Sequence, residues 1–162
     1  MMKVVSDTGP LIALAKARQL QLLEQLFGEI FIPPAVYREI LAKTGPEAEQ
    51  LDSALATFVR VAEHPSVKPE VRSLTSHLDR GEREAIALTC QLNALLLVDD
   101  RLGRQAAQRL NLLFTGVAGI LIKAKEKGLL PHVRPVLEQI RSQGYWLSDE
   151  LLDLASRLAN ED

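Results

Sequence analysis

Short apolar runs alternate with longer amphipathic segments along most of the chain. The first run, residues 3–6, ends at Asp7, which predicts a buried strand followed by the start of a helix near Pro10. Further strands are predicted at 30–32, 58–61 (an edge strand), 95–98 and 112–115, a loop at 64–70, and helices at 11–15, 20–27, 35–43, 47–56, 82–92, 103–110, 117–127, 133–142 and 149–158. Because strands alternate with helices, the pattern favours an α/β sandwich around a parallel sheet.

Length and composition narrow the class of protein. The 162 residues suit a single domain, 1–162, and 47% hydrophobic with 25% charged residues is typical of a folded globular protein. We expect neither a membrane span nor a secretory signal, because no apolar run reaches about 18 residues and Asp7 interrupts the first one; the expected compartment is the cytoplasm. A single cysteine, Cys90, with three scattered histidines does not suit a zinc site.

The net charge of −2 argues against a basic module that binds nucleic acid through its overall field. The low aromatic content, 4%, argues against a stacking platform for single-stranded RNA. Neither excludes an enzyme that acts on nucleic acid and concentrates its negative charge in a metal site.

Carboxylates follow the predicted strands at the edge where open parallel sheets bind ligands. Asp7 follows the first strand, and Asp99 and Asp100 follow the fully apolar strand. Glu39 and Glu82 lie on helices that begin just after such strand ends or loops. Converging carboxylates repel one another, so a fold tolerates them mainly around a divalent cation. Oxygen ligands without His or Cys favour Mg²⁺ or Mn²⁺, ions that support phosphodiester cleavage.

Four ordered motifs resemble those of PIN-domain ribonucleases. They are SDTGPLIAL at 6–14, IPPAVYREI at 32–40, GEREAIAL at 81–88 and LLLVDDR at 95–101. The resemblance covers about residues 3–123 and is closest to proteins related to VapC-type toxins, the nuclease halves of toxin–antitoxin pairs. It implies a PIN-like three-layer α/β/α sandwich with a central, mostly parallel sheet and a helical C-terminal extension at about 124–162.

The resemblance also implies a set of metal ligands and catalytic acids. They are Asp7, Glu39, Glu82 and Asp100, with Asp99 as a secondary ligand. Glu82 stands where Asp is commoner in the family, and Glu84 is a neighbouring candidate for the same role. Val98 stands where many relatives have threonine. One or two Mg²⁺ or Mn²⁺ ions are the expected cofactors.

On the substrate side, Ser6 and Thr8 would orient Asp7, and Arg101 and Arg104 would meet the phosphates of the substrate. The implied function is a metal-dependent endoribonuclease, the toxin of a type II toxin–antitoxin pair. The implied partners are an RNA substrate, an antitoxin protein and a second copy of the chain in a homodimer.

Each of these residues also has a local explanation. Asp7 and one of the pair Asp99 and Asp100 suit helix N-caps. Glu82 suits a helix N-terminus through the helix dipole, and Glu39 suits a solvated helix face. Ser6 and Thr8 could simply cap the nearby backbone, and Arg101 and Arg104 could belong to an ordinary charged helix surface. The alternative function is therefore a catalytically weak PIN-fold module that binds RNA or protein without cutting.

The region after residue 128 contains two amphipathic stretches, 129–140 and 147–155. We expect both to pack on the sandwich or on a second subunit rather than to form a free tail. Tyr145 and Trp146, between them, are expected to join that packing.

Overall fold

The computed structural model describes residues 2–161, and its strands form one five-stranded sheet. The strands are β1 (Val4–Ser6), β2 (Ile30–Ile32), β3 (Val59–Val61), β4 (Leu95–Leu97) and β5 (Leu113–Thr115). Their order is β3-β2-β1-β4-β5, and every neighbouring pair is parallel. Val5 in the central strand pairs with Phe31 on one side and with Leu96 on the other.

Helices cover both faces of this sheet. They are α1 (Thr8–Lys16), α2 (Leu22–Phe27), α3 (Pro34–Leu41), α4 (Pro46–Thr57), α5 (Pro69–Thr75), α6 (Arg80–Leu92), α7 (Arg101–Arg109), α8 (Val117–Glu126), α9 (Arg134–Ser142) and α10 (Asp149–Leu158). Because side chains alternate along a strand, Val4 packs on one face and Val5 on the other. Helices α5, α6 and α7 cover the Val5 face, and the remaining helices cover the Val4 face. The three-layer α/β/α sandwich is confirmed.

The order of the strands fixes where a site can form. From β1 the chain moves outward through β2 and β3, then returns to the other side of β1 with β4 and continues to β5. The direction of winding therefore reverses between β1 and β4. In open parallel sheets, ligands bind at the carboxyl ends of the strands at this switch point. Asp7 follows β1 and Asp99-Asp100 follow β4, so the structure places these carboxylates there.

Helix α5 lies in a stretch for which the sequence predicted no helix. The prolines at 65 and 69 suggested a loop, but Pro69 is the first residue of α5, where the missing N–H costs no helical hydrogen bond. The helix has seven residues and buries only Val71 and Thr75. So short an apolar face has no visible periodicity in the sequence.

The C-terminal helices pack into the core of the sandwich. Leu137 and Ile140 of α9 and Leu152 of α10 are buried in the same cluster as Leu11 and Leu14 of α1. Helix α9 contacts α1, and α10 contacts α8 and α9. Of the helices within residues 2–161, none is long and apolar enough to cross a membrane.

Candidate metal centre

Asp7 stands at the carboxyl end of the central strand. Its backbone N–H donates to a carbonyl of β4 at 3.0 Å, which holds the two strand ends side by side. Although Asp7 occupies the N-cap position of α1, its side chain makes no capping hydrogen bond, and the residue is only 7% exposed. Burial raises the pKa of Asp7 to about 7, against the opposing effect of the Thr8 backbone N–H. The charges of Asp79, Glu39 and Asp100 raise it further, so the carboxylate lies among other acids.

Glu39 approaches Asp7 from α3. The hydroxyl of Thr8 donates to Oε2 of Glu39 at 2.6 Å. The same carboxylate lies against the Cα of Gly81 in α6, in space that a Cβ would fill. The absence of a side chain at Gly81 therefore allows α6 to lie against the α3 acid.

Glu82 begins α6 in a reciprocal arrangement with Asp79. The Glu82 N–H donates to Oδ1 of Asp79 at 2.8 Å, and the Asp79 N–H donates to Oε1 of Glu82 at 3.3 Å. The other oxygen of Glu82, Oε2, is buried and has no hydrogen-bond partner within residues 2–161. Burial, followed by the nearby carboxylates of Asp100 and Asp79, raises the pKa of Glu82 to about 9. A proton or a cation would satisfy this oxygen.

Asp100 is the N-cap of α7 and faces Glu82. Its Oδ2 accepts a hydrogen bond from the Gly103 N–H at 2.9 Å. A Cβ at Gly103 would stand 3.5 Å from Oε2 of Glu82 and 3.6 Å from Oδ2 of Asp100, so the two carboxylates border the same space. Burial opposes ionisation of Asp100, but the Glu82 carboxyl beside it and the Gly103 and Leu102 N–H groups hold the pKa of Asp100 below the usual range.

Asp99 has both oxygens engaged elsewhere. Oδ1 accepts the Val117 N–H at 2.9 Å, and Oδ2 accepts the Tyr145 hydroxyl at 2.6 Å. Burial raises the pKa of Asp99, although Tyr145, Val117 and the charge of Arg104 lower it. Asp99 therefore links the end of β4 by hydrogen bonds to the start of α8 and to the segment before α10.

Two further candidates also have partners within the protein. Ser6 is fully buried, and its hydroxyl donates to the Asp7 carbonyl at 2.7 Å. Oε1 of Glu84 accepts the Ala35 N–H at 3.0 Å, and its Oε2 pairs with Arg80 at 3.1 Å. Glu84 thus caps the start of α3. The acid of α6 that faces the other carboxylates is Glu82.

The two arginines of α7 have different surroundings. Arg101 is exposed and makes no hydrogen bond or ion pair with any described residue, 2–161. Arg104 donates from Nη1 to the Val98 carbonyl at 3.3 Å, and its guanidinium lies 5.1 Å from the centre of the Phe114 ring. Arg101 is therefore available to a ligand, whereas Arg104 is held against Val98 and Phe114.

We name Asp7, Glu39, Glu82 and Asp100 the acidic cluster. Its donors are all carboxylate oxygens, which suits Mg²⁺ or Mn²⁺, and the buried Oε2 of Glu82 fits a cation. In the described part of the chain, no three acidic, histidine or cysteine side chains already stand in metal-ligand geometry.

A comparison with protein families decides the identity of the fold. A family model described as PIN domain matches residues 3–161. The chain belongs to the PIN-domain family. PIN domains are typically nucleases and generally bind divalent metals. The resemblance carried by the four sequence motifs is therefore confirmed at the level of the family.

Two solved structures are similar to this PIN domain in fold. One is a PilT N-terminus domain protein, SSO1118, from the archaeon Sulfolobus solfataricus P2, with a TM-score of 0.53 and 21% identity over 76% of this chain and 93% of that one. The other is PAE2754 from Pyrobaculum aerophilum, with a TM-score of 0.56 and 17% identity over 77% of this chain and 90% of that one. No curated protein matches the PIN-domain chain in sequence.

Two residues beside the candidate site of this PIN domain were not predicted from the sequence. Asp79 adds a fifth carboxylate beside Asp7 and Glu82. The spacing of Asp79 and Glu82 is that of a capping box and offered a signal for it. Tyr145, which reaches Asp99 from 46 residues away, had no such signal.

Proposed function

We propose that this PIN domain is a Mg²⁺- or Mn²⁺-dependent endoribonuclease whose acidic cluster holds one or two ions. The observation that carries the proposal is Oε2 of Glu82, which has no hydrogen-bond partner among residues 2–161 and is buried beside Asp100 at the switch point of the sheet. The raised pKa of Asp7, caused by burial and by neighbouring carboxylates, supports it. A divalent cation there would relieve both the missing donor and the repulsion.

The residues of the cluster have distinct proposed roles. A bound ion supplies the positive charge that activates water and stabilises the leaving oxygen of a phosphodiester. Thr8 positions Glu39 through its hydrogen bond, and Gly81 leaves room for that carboxylate. Ser6 positions Asp7 through the backbone. We assign Asp99 to support rather than ligation, since both of its oxygens accept protein hydrogen bonds.

We further propose that the biological role is that of a type II toxin, acting on RNA in the cytoplasm and restrained by an antitoxin protein. The resemblance of the four motifs to VapC relatives supports this role. Exposed Leu154 and Leu158 on α10 offer apolar surface for a homodimer. We expect a small reading frame directly upstream whose product co-purifies with this chain. Its absence would argue against the toxin role but not against the ribonuclease.

A second candidate function is binding of RNA or protein without cleavage. The hydrogen bonds that already occupy one oxygen of Glu39 and one of Asp100 favour it. Mn²⁺ binding without cleavage of any RNA would support this function over the nuclease.

Cleavage of a mixed pool of structured and unstructured RNA tests the nuclease. Products should form with Mn²⁺ and disappear with EDTA. Asp7→Asn should lower the rate roughly 100-fold or more, since even outer-shell partners of a metal are worth 10–100-fold. Asp52→Asn, the same change at an exposed position on α4, should cleave like the wild type. Identical products with Mn²⁺ and with EDTA would contradict the proposal.

A further inference from the structure

A groove of about 600 Å³ opens beside the acidic cluster. Six of its lining residues are Arg101, Arg104, Gln105, Gln108, Phe114 and Trp146. Asp99 lines the groove and is followed in the chain by Asp100 of the cluster, so the groove and the cluster are one residue apart along the chain. The volume is within the usual range for small-ligand pockets and is sufficient for a nucleotide.

Trp146 is the feature of this groove that the fold does not explain. It is the single tryptophan of the chain and is 82% exposed, so its ring contributes little to the core. Its neighbours hold it in place, because Tyr145 donates to Asp99 at 2.6 Å and Leu147 is buried in the core. Ser148 then caps α10 by accepting the Leu151 N–H at 3.1 Å. A large aromatic ring is thus presented to solvent from an anchored backbone.

One face of α7 supplies the polar wall. Arg101, Gln105 and Gln108 follow one another at helical spacing and all line the groove. All three are exposed, and Arg101 forms no ion pair within residues 2–161. The carboxylate in the groove, Asp99, already accepts two hydrogen bonds and so does not compete for the arginine. The wall therefore offers a cation and amide groups to a ligand.

We infer that this groove is the binding subsite for a nucleotide of single-stranded RNA next to the cleaved bond. The base stacks on Trp146, and Arg101 contacts a backbone phosphate. A ring stacked on an aromatic side chain and a phosphate held by arginine are the two components of single-strand recognition. The inference rests on the proposed ribonuclease function and adds the substrate's conformation and the residues that hold it.

Single-stranded RNA fits this groove better than a duplex or a second copy of the chain. Paired bases within a duplex do not expose a face to a side chain at the wall of a groove. A second copy that covered Trp146 would also cover Arg101 and two glutamines, polar groups that would then need partners of their own. Asp99 in the groove is followed by Asp100 of the cluster, so we place a strand that occupies the groove next to the proposed metal.

Tryptophan fluorescence tests the inference directly, because Trp146 is the only tryptophan. A single-stranded RNA of about ten nucleotides is titrated in EDTA, so that no cleavage occurs. Binding should quench the emission. Inorganic polyphosphate, which has phosphates but no bases, should not quench it. A blunt duplex of the same sequence should quench it less than the single strand.

Variants separate the two contacts. Trp146→Ala should weaken RNA binding roughly tenfold, measured by anisotropy of a labelled strand, and Trp146→Phe should restore most of the loss. Arg101→Gln should weaken binding and lower the slope of log Kd against log salt by about one phosphate contact. Arg109→Gln, the same change in the last turn of α7 and outside the groove, should leave both unchanged.

The outcomes distinguish this inference from the proposed function. Quenching by RNA without cleavage in Mn²⁺ would overturn the ribonuclease but would leave the contacts of Trp146 and Arg101 with single-stranded RNA standing. Cleavage without quenching, or equal affinity of Trp146→Ala and wild type, would overturn the subsite alone. Emission of the free protein that shifts to shorter wavelength with rising protein concentration would show a second copy over Trp146, and would also overturn it.

Discussion

At the scale of single residues, Asp99 and Asp100 show how neighbouring carboxylates acquire different roles. Asp100 begins α7 and faces Glu82 across Gly103, where ionised carboxylates repel each other. Asp99 instead joins Val117 and Tyr145, both of which donate to it. Both oxygens of Asp99 are therefore occupied by donors, whereas Asp100 accepts the Gly103 N–H and also borders Oε2 of Glu82. The same distinction separates a metal site from a set of helix caps.

Asp7→Asn tests that distinction through stability. Because the pKa of Asp7 is raised to about 7 from 3.8, the metal-free wild type loses stability as the pH rises through this interval. Asp7→Asn has no carboxylate to ionise and does not lose this stability. Above pH 7 in EDTA, its free energy of unfolding should therefore lie between that of the wild type and a value about 1 kcal/mol higher. Thermal melts in EDTA across this pH range measure the difference.

Manganese provides the second half of that experiment. Bound Mn²⁺ should raise the melting temperature of the wild type by mass action, and Asp7→Asn should lose most of the increase. Asp52→Asn should keep it. An unchanged Mn²⁺ response in the Asp7 variant would remove Asp7 from the proposed site.

At the scale of elements, Glu161 joins three helices near the C-terminus. It accepts the Val133 N–H at 2.7 Å, the Arg134 N–H at 3.0 Å and the Lys125 Nζ at 2.9 Å. Its side chain is 9% exposed. Burial opposes ionisation, but the two N–H donors and Lys125 lower the pKa of Glu161 to about 2. The ionised carboxylate thus holds α10 against the start of α9 and the end of α8.

Glu161→Gln should reduce the free energy of unfolding by about 1–3 kcal/mol, because the amide cannot accept all three hydrogen bonds and leaves donors unsatisfied. The sign of the pH effect follows from the lowered pKa: this stabilisation is present above pH 4.5 and is lost as the pH falls toward 2. Urea melts at pH 7 and pH 3 should therefore differ more for the wild type than for the variant. Glu138→Gln, an exposed partner of Arg134, should change little.

At the scale of the whole molecule, the C-terminal helices share one core with the first helix. Val133, Leu137 and Ile140 lie in the same buried cluster as Leu11 and Leu14. Tyr145 links this region to the candidate site through Asp99. We therefore propose that residues 1–162 form a single domain and that the segment from about 124 is part of its fold.

Limited proteolysis tests that proposal. Cleavage between residues 130 and 161 should be slow and should coincide with global unfolding, because it requires the shared core to open. Mass spectrometry of the products against time, with circular dichroism in parallel, measures both. Rapid trimming to a stable, folded fragment that ends near residue 129 would show that the extension is dispensable.

By itself, the sequence determined the strands, the parallel sheet and the family. The apolar runs mark the five described strands, with β3 predicted as an edge strand. Asp7 follows β1, and Asp99 and Asp100 follow β4, so these acids lie at the edge where the carboxyl ends of the parallel strands meet. Helix α5 was not predicted, because two buried residues on a seven-residue helix show no helical periodicity in the sequence. The four acids of the cluster remain predictions as ligands, although the structure brings them together.

Only the tertiary structure decided which side chains face that edge. Glu84 points toward the start of α3, and Asp99 points toward Tyr145, which lies 46 residues later in the chain. Asp79 lies beside Asp7 and Glu82, and Trp146 lines the groove that contains Asp99, although neither belongs to a motif that predicted it. The physical reason is that local periodicity sets the face of a strand or helix. The partner of a polar side chain depends instead on packing between elements that are far apart in sequence.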